Sequence, residues 1–329
     1  MIGRRPAPVA VLILALCAIF PAAACAEAAA AYPAKPIRLI VPFPPGGGND
    51  VIARVVGKQL SERWNQQIVI DNRGGANGML GLSLLAQAAP DGYTLAVGAA
   101  GPLAVNPSLY SKMPYDSLKS FAPVTNMVNF PLLLVTHPSL PAKSVKELIA
   151  LAKAQPGRLN FASPGSGNSG HLAGELFNSM AGVKIVHVPY KGAGPAIADL
   201  LGGQVQMMYS SIPSVLPHVQ AGRLNALAIG SAKRLSTLPN IPTIAESGVP
   251  KYEAYSWVGM VAPAGTPGEI VAKLNREIID ILKVKQVADN LNQQGAVPDY
   301  QSPEAFRAYI KAEIAKWGAV VRAANIRAD

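Results

Sequence analysis

The chain of 329 residues carries 29 basic and 19 acidic side chains, a formal net charge of +10, and half of its residues are hydrophobic. This length is enough to bury a core in two lobes. The basic balance favours anionic partners through long-range attraction. No dense Lys/Arg run interleaved with aromatic residues is present, so we do not expect nucleic-acid binding.

The first residues have the three-part layout of a secretory signal peptide. Arg4 and Arg5 are followed by the apolar run Val9 to Phe20 and then by the small-residue stretch Ala22 to Ala31. The apolar run is too short to span a bilayer as a mature helix. We therefore expect residues 1–26 to be a cleavable signal peptide and the mature protein to be soluble and periplasmic.

Cleavage at this place would also remove both cysteines of the chain. Ala24-Cys25-Ala26 fits the small-x-small rule for cleavage, and Cys17 lies further upstream. The mature chain is then expected to have no disulfide, no cysteine nucleophile and no thiolate metal site. A lipoprotein acylated at Cys25 is the alternative, although Ala22 stands where the lipoprotein pattern prefers Leu.

The first third of the mature chain alternates short apolar strands with amphipathic helices, which indicates an α/β architecture with largely parallel sheets. In the first helix Val51, Val55, Leu60 and Trp64 lie on one apolar face. The predicted elements are a strand at 37–41, a helix at 50–64, a strand at 67–71, a helix opened by residues 74–78 and ending at 89, and a strand at 93–97.

A second set of alternating elements is predicted to begin near Leu132. Ser144 and Glu147 form a capping box at the start of its first helix. Pro195 is expected at the first position of a later helix, where a missing N–H costs nothing. The other predicted elements are strands at 132–136, 159–163, 184–188, 204–209 and 224–229 and helices at 169–181 and 195–201.

The C-terminal part adds a strand at 256–262 and two long helices. Thr266 is expected to cap the first of these helices, with Pro267 at its first position, and Ser302-Pro303 is expected to start the second. Because these elements follow a complete second set, we expect the chain to return to its first lobe.

The order of the elements therefore predicts two lobes. Lobe one comprises residues 33–130 plus 252–329, and lobe two comprises residues 131–251. The chain crosses between the lobes twice, which provides the hinge that a closing cleft requires.

The loop between the first strand and the first helix, residues 42–48, combines three prolines with three glycines. The prolines stiffen the loop, and the glycines let the backbone approach a bound atom. The following helix offers free N–H groups and the positive end of its dipole, which favour a carboxylate or a phosphate. A merely tight turn is the alternative. The candidate ligand-binding residues are Phe43, Pro44, Gly46 and Gly47.

A second glycine-rich loop, residues 163–170, again joins a strand to a helix. Gly165, Gly167 and Gly170 satisfy the G-x-G-x-x-G pattern of dinucleotide-binding loops. In dinucleotide-binding loops this pattern is followed about 20 positions later by an acidic residue that binds the ribose. Residues 183–192 contain none, so we expect neither a nucleotide nor another cofactor. The loop can still hold an oxyanion with its amides and hydroxyls. The candidates are Ser163, Gly165, Ser166, Gly167 and Ser169.

Further candidates stand near strand ends and helix starts. Tyr190 and Lys191 supply a hydroxyl and a cation, with a solvated lysine as the alternative. His171 follows the second glycine loop, and Ser210 ends a strand; a core histidine and a turn-forming serine are the alternatives. The histidines of the chain show no metal-ligand spacing, so we expect no metal. They are His137, His171, His187 and His218.

No catalytic arrangement stands out in the sequence. It contains no G-x-S-x-G nucleophile elbow and no carboxylate pair whose spacing points to acid/base work. Ser166 with His171 is the nucleophile–base pair that an enzyme would need, and it is too local to count as a triad. We therefore predict a binding protein and keep an enzyme as the alternative.

Seven short motifs follow one another along essentially the whole mature chain. They are YPAKPIR at 32–38, PFPPGGG at 42–48, NRGGANG at 72–78, PDGYTL at 90–95, HVPYKG at 187–192, PNIPT at 239–243 and VAPAGTP at 261–267. In this order and at these places they resemble the substrate-binding proteins of tripartite tricarboxylate transporters, the Bug family.

The resemblance implies a type II-like periplasmic solute-binding fold, with two α/β lobes and a ligand cleft between them. It implies a small organic carboxylate as the ligand, gripped by loops 43–48 and 163–170 largely through backbone amides and ordered water. It also implies delivery to two integral-membrane transporter subunits, and we expect a monomer. An enzyme or a ligand sensor on the same fold is the alternative. The identity of the carboxylate stays open.

One departure from the family concerns its acidic positions. The family often shows Asp where this chain has Gln206 and Ser210. If Ser210 faces the cleft, the missing negative charge would favour a ligand without an amino group, or one with a second carboxylate.

Overall fold

The structure, a computed structural model, describes residues 32–327. The predicted signal peptide at 1–26 and the alternative acylation at Cys25 lie outside the described residues. The described chain begins with the alternation that the sequence predicts. Its first elements are β1 (Ile37–Val41), α1 (Gly48–Trp64), β2 (Ile68–Asn72), α2 (Met79–Ala86), β3 (Thr94–Ala99) and, after a π-helical turn at Gly101–Val105, the short helix α3 (Asn106–Leu109).

A long strand opens the second set of elements. The middle of the chain comprises β4 (Phe121–Thr136), α4 (Val145–Ala154), β5 (Asn160–Ser163), α5 (Ser169–Ala181), β6 (Val186–Pro189), α6 (Ala193–Leu201), β7 (Met207–Ser211), α7 (Ile212–Gln220) and β8 (Asn225–Ile229). The C-terminal part comprises β9 (Tyr255–Pro263), α8 (Gly268–Leu282), α9 (Lys285–Gln293), β10 (Val297–Pro298) and α10 (Pro303–Ala323).

The strands follow one path in the order β2-β1-β3-β9-β4-β7-β5-β6, with β8 and β10 attached to β4. Parallel pairs join β1 to β2 and β3, and β5 to β6 and β7. Antiparallel pairs involving β4 and β9 lie between these two parallel groups. The predicted α/β fold class is confirmed.

Strand β4 belongs to both halves of the molecule. Its residues Phe121 to Pro131 pair with β9, and its residues Leu132 to Thr136 pair with β7 and β8. The pairing partner therefore changes at the place where the sequence predicts the first crossing between lobes. The exact division into 33–130 plus 252–329 and 131–251 stays a prediction.

The C-terminal helix α10 joins the cores of the two halves. It packs against β4 and also against α5, and one apolar cluster contains Trp317 of α10 together with Trp257 of β9 and Phe161 of β5. The indole N–H groups of both tryptophans donate to the buried carboxylate of Glu313, at 3.0 Å and 2.8 Å. This shared acceptor fixes α10 on β9.

Two helix starts differ from their predictions. Helix α8 begins at Gly268, and the hydroxyl of Thr266 donates to the carbonyl of Pro263 at 2.8 Å instead of capping the helix. Pro195 is the third residue of α6 and not the first. Pro195 and Pro267 still cost no helical hydrogen bond, because the N–H groups in the first turn of a helix have no partner within the helix. The caps at Ser144 and Ser302 are confirmed.

The predictions for β4 and for the C-terminal helices were incomplete. Strand β4 starts at Phe121, eleven residues before the predicted Leu132, because it tolerates Pro123 and Pro131 at irregular or terminal pairing positions. The predicted pair of C-terminal helices is three helices, since Val284 takes an extended conformation between α8 and α9.

Within residues 32–327 no helix is both long and apolar enough to cross a bilayer. Over the same range no group of three or more His, Cys, Asp or Glu side chains is placed to hold a metal ion.

Candidate ligand-binding cleft

A cleft of about 610 Å³ lies between the two halves, and four helices begin at its wall. Gly48 and Asn49 open α1, Ser169 and Gly170 open α5, Ala193 opens α6, and Pro213 and Ser214 lie in the first turn of α7. The first N–H groups of each helix have no partner inside the helix, and each dipole is positive at this end. The wall therefore presents several sets of donors that suit an anion.

Three of these four helices have no side-chain cap, so their first N–H groups remain available to a ligand. The residues that precede α1, α6 and α7 are Gly47, Gly192 and Ser211, and none of them forms a side-chain cap. Only Asn168, before α5, accepts from the backbone, at 3.0 Å from the nitrogen of His171. A ligand oxygen can take the place that a capping side chain fills elsewhere.

The buried carboxylate of Asp50, in the first turn of α1, holds the first predicted loop in place. Its carboxylate accepts from the N–H of Gly46 at 2.9 Å, from Arg54 at 2.9 Å and from Asn72 at 3.0 Å. Burial alone would raise the pKa of Asp50, but these hydrogen bonds outweigh it and lower the pKa to about 2. Asn72 also donates to the carbonyl of Phe43 at 3.0 Å. The loop is therefore fixed before a ligand arrives.

The second predicted loop is held by buried side chains. The hydroxyl of Ser163 donates to the carbonyl of Gly165 at 2.9 Å and lies 2.6 Å from His187 Nε2. Further along, the N–H of Gly167 donates to His171 Nδ1 at 3.0 Å. Ser163 and His171 thus lie behind the loop and do not line the cleft.

The structure brings about half of the predicted ligand-binding residues to the cleft or to a chamber beside it. Gly46, Gly47, Ser169 and Ser210 line it. Phe43 and Gly167 line an adjoining chamber of about 170 Å³, which shares Asn49, Asn168, Ser169 and Ser256 with the cleft. The predicted residues that line neither space are Pro44, Ser163, Gly165, Ser166, His171, Tyr190 and Lys191.

Two of these residues, Tyr190 and Lys191, lie outside both spaces. The hydroxyl of Tyr190 donates to Asp199 at 2.7 Å. Burial and this hydrogen bond raise the pKa of Tyr190 to about 12. Lys191 is exposed. The structure also does not assemble Ser166 with His171, because one imidazole nitrogen accepts from Gly167 and the other lies 3.8 Å from Glu175.

Several wall residues were not predicted. Phe130 and Ser256 come from the strands that connect the halves, Ser214 from α7, and Gln293 and Gln294 from the end of α9. Helix α7 has no sequence prediction, and α9 was not separated from α8. The strands gave no motif that could single out Phe130 or Ser256.

None of the described residues that line the cleft carries a formal charge. The wall combines backbone N–H groups, serine hydroxyls and side-chain amides with apolar surface from residues such as Val51, Phe130, Leu132 and Val258. Such a wall stabilises an anion through dipoles, and its apolar part suits a short carbon skeleton.

Two α/β halves that share a strand, with an uncharged, helix-lined cleft between them, define a two-lobe solute-binding protein. A family model described as "Tripartite tricarboxylate transporter family receptor" matches residues 52–326. The chain is 44% identical to BugT from Bordetella pertussis over 292 residues, which are 88% of this chain and 90% of BugT. The chain belongs to this family of transporter receptors, so the resemblance inferred from the motifs is confirmed.

Solved structures with bound ligands are similar to this chain. An R. palustris protein solved with adipate is 40% identical, with a TM-score of 0.77 and coverage of 90% of this chain and 99% of that one. MatC from Rhodopseudomonas palustris, solved with bound malate, is 33% identical, with a TM-score of 0.73 and coverage of 88% and 100%. Adipate and malate are both dicarboxylates.

Proposed function

We propose that this protein is a non-catalytic receptor that captures a small organic carboxylate in the cleft and delivers it to the membrane subunits of a tripartite transporter. The observation that carries the proposal is the convergence of four helix starts on a wall without formal charge. This wall offers many donors to an anion and no side-chain carboxylate that would repel it. The ligands named for the similar structures, adipate and malate, support the same chemistry.

The proposed ligand class is an aliphatic dicarboxylate with a chain of about the length of malate or adipate. Donors come from both halves, since the wall includes Gly47 and Gln294 on one side of β4 and Ser169 and Ser210 on the other. Each half can therefore hold one carboxylate, while the apolar residues between them meet the carbon chain.

The proposed ligand contacts follow the lining of the cleft and its chamber. Phe43, Gly46, Gly47, Gly167, Ser169 and Ser210 are proposed to meet the ligand. Ser163, Gly165 and His171 are proposed to hold the loop that does so. Contacts from Pro44, Ser166, Tyr190 and Lys191 stay predictions of the sequence.

The proposed setting is the periplasm, after removal of a signal peptide that comprises residues 1–26. The receptor is proposed to be a soluble monomer that docks on membrane subunits. N-terminal sequencing of the exported protein would give Glu27 as the first residue. An acylated Cys25 at the N-terminus would overturn the soluble form.

The test of the binding function is a thermal-shift screen of the exported protein with dicarboxylates, monocarboxylates, phosphate and sugars. A ligand at 100 times its Kd adds about 2.7 kcal/mol to the free energy of unfolding, which a melting curve resolves. We expect large shifts with dicarboxylates, and recovery of the ligand unchanged after incubation. Shifts only with phosphate or sugars, or conversion of the ligand, would overturn the proposal.

Delivery to a transporter needs a test in cells. Deletion of the gene should abolish uptake of the radiolabelled dicarboxylate that gives the largest shift, and the intact gene should restore it. Normal uptake in the deletion strain would instead favour a sensor on the same fold.

A further inference from the structure

Two histidines, the buried His171 and the half-buried His187, lie behind the loop that is proposed to hold the ligand. His187 of β6 contacts the start of the loop, since its Nε2 lies 2.6 Å from the hydroxyl of Ser163. His171 of α5 contacts its end, where Nδ1 accepts from the N–H of Gly167 at 3.0 Å. Each imidazole therefore fixes one end of the segment 163–167.

The two rings are stacked on each other. Their centroids are 3.6 Å apart and their planes differ by 9°. Phe161 lies beside both rings, at 5.1 Å from His187 and 6.3 Å from His171. Two imidazolium cations at this separation would repel each other strongly in a buried site, so the stack requires neutral rings.

The surroundings favour the neutral form. Burial, together with the neighbouring His187, lowers the pKa of His171 to about 3. Burial also lowers the pKa of His187 to about 4. A neutral imidazole has one acceptor nitrogen, and the bond from Gly167 identifies it in His171 as Nδ1. The proton of His171 is therefore on Nε2.

The other titratable groups at the pair do not change this assignment. Glu175, one turn along α5, places a carboxylate oxygen 3.8 Å from Nε2 of His171. Burial raises the pKa of Glu175, which accepts from Asn178 at 3.3 Å. Tyr209 of β7 has a buried hydroxyl without a partner in the described part of the chain, and burial keeps it protonated.

We propose that His171 and His187 are positioning residues: as a neutral stack they hold loop 163–167 in its ligand-binding conformation, and their protonation releases the loop and weakens ligand binding. A proton that adds to Nδ1 of His171 occupies the lone pair that accepts from Gly167. A second cation in the stack adds repulsion. The proposal rests on the proposed function, because it assumes that this loop meets the ligand.

The test compares three variants with the wild-type exported protein, with adipate as the probe in calorimetric titrations. His171→Asn keeps an acceptor for the N–H of Gly167, because the asparagine Oδ1 takes the position of Nδ1, but it cannot titrate, whereas His171→Ala removes the acceptor. His137→Ala is the matched control, because the imidazole of His137 bonds locally, to Ser139. At pH 7.5 we expect His171→Ala to raise the Kd about tenfold and the other two variants to stay close to wild type.

The pH profile separates positioning from general stability. Between pH 7 and pH 3.5 the wild type and His137→Ala should lose more affinity for adipate than His171→Asn does, and the difference should grow below pH 5, because both imidazoles protonate well below their usual range. Protonation of adipate itself affects all proteins equally, so the difference between the profiles reports the imidazoles. Coincident profiles of wild type and His171→Asn over this range would overturn the proposal, even if His171→Ala fails to fold.

If neither the wild type nor the variants bind adipate, hydrogen exchange of the ligand-free proteins tests the positioning role of His171. Peptides that cover residues 163–168 should exchange faster at pH 7.5 in His171→Ala than in wild type, and His171→Asn should restore the slow rate. Equal exchange in all variants would overturn the positioning role. Faster exchange without adipate binding would support the role and count only against adipate as the ligand.

Discussion

The carboxylate of Asp50 accepts a hydrogen bond of 2.9 Å from the backbone N–H of Gly46, four residues upstream. Asp50 stands in the first turn of α1, where an acidic side chain usually meets the free N–H groups of its own helix. Here the carboxylate is directed to the preceding loop, to Arg54 and to Asn72. Its negative charge is balanced within the protein, which leaves the first turn of α1 open to an anionic ligand.

The first prediction concerns the hydrogen bonds that Asp50 accepts. Asp50→Asn replaces an acceptor of three hydrogen bonds by an amide whose NH2 faces other donors. We expect the free energy of unfolding to fall by about 2 kcal/mol, since hydrogen bonds to buried charged groups have this magnitude, and the affinity for adipate to fall with it. Urea unfolding and calorimetry measure the two effects. Asp289→Asn, which changes an exposed pair with Lys285, should leave both unchanged.

The second prediction tests whether a ligand approaches the loop at Gly47. This residue has φ −80° and ψ 167°, which alanine adopts without strain. An added Cβ would meet only the carbonyl of Pro44, at 3.9 Å. Gly47→Ala should therefore keep the melting temperature and raise the Kd for adipate severalfold. The matched control is Gly268→Ala at the start of α8, where a Cβ meets nothing. Equal affinities of the two variants would contradict contact at Gly47.

The third prediction concerns Ser210, which is buried and lines the cleft as the sequence hypothesis requires. Ser210→Asp adds a negative charge beside the bound dicarboxylate. We expect the Kd for adipate to rise at least about tenfold, because like charges at such short range repel by more than the 1.4 kcal/mol that this factor represents. Binding of aspartate, which has an ammonium group, should gain relative to adipate.

A neutral variant separates charge from size at Ser210. Ser210→Asn has nearly the same volume as Ser210→Asp but adds no charge. Competition titrations with adipate and aspartate as ligands should show the change in preference for Ser210→Asp and not for Ser210→Asn. An unchanged preference in Ser210→Asp would refute the hypothesis that this position reads the charge of the ligand.

The fourth prediction is a loss of stability in mild acid. The folded protein holds the pKa of His171 at about 3 and that of His187 at about 4, both below the usual value of 6.5. The unfolded chain therefore binds more protons, so this stabilisation is complete above pH 6.5 and is lost as the pH falls towards 4. The slope for buried His171 approaches 1.4 kcal/mol per pH unit, and that for half-buried His187 is smaller.

Urea unfolding at a series of pH values measures this slope. Between pH 6.5 and pH 5 the free energy of unfolding of the wild type should fall more steeply than that of His171→Asn. Most carboxylates with ordinary pKa values stay ionised in this range, so they contribute little to the difference. Parallel curves for the two proteins would show that His171 titrates normally in the folded state.

Periodicity and caps predicted much of the fold, because local signals determine the elements concerned. Strand β1 and helix α5 begin and end at the predicted residues. Both glycine-rich loops join a strand to a helix, as predicted, since proline and glycine limit the local conformations.

The part of the site that depends on contacts distant in the sequence was not predictable. Phe130 and Ser256 reach the cleft only because β4 and β9 pair there. Gln293 and Gln294 lie at the end of a polar helix whose sequence has few apolar residues. His171 was predicted as a ligand contact from its place after the loop, but its Nδ1 accepts from Gly167 behind the loop, because a place in the sequence does not determine the direction of a side chain.

Strand β4 passes from one half to the other without interruption, and it stays paired with β9 up to the change of partner at Pro131. Any closing movement of the cleft has to twist this paired ribbon, because no flexible linker interrupts it there. The hydrogen-bonded ladder of β4 and β9 resists twisting and tends to return to its unstrained shape. If the cleft closes on a ligand, the strain in this ladder would favour its reopening once the ligand has left.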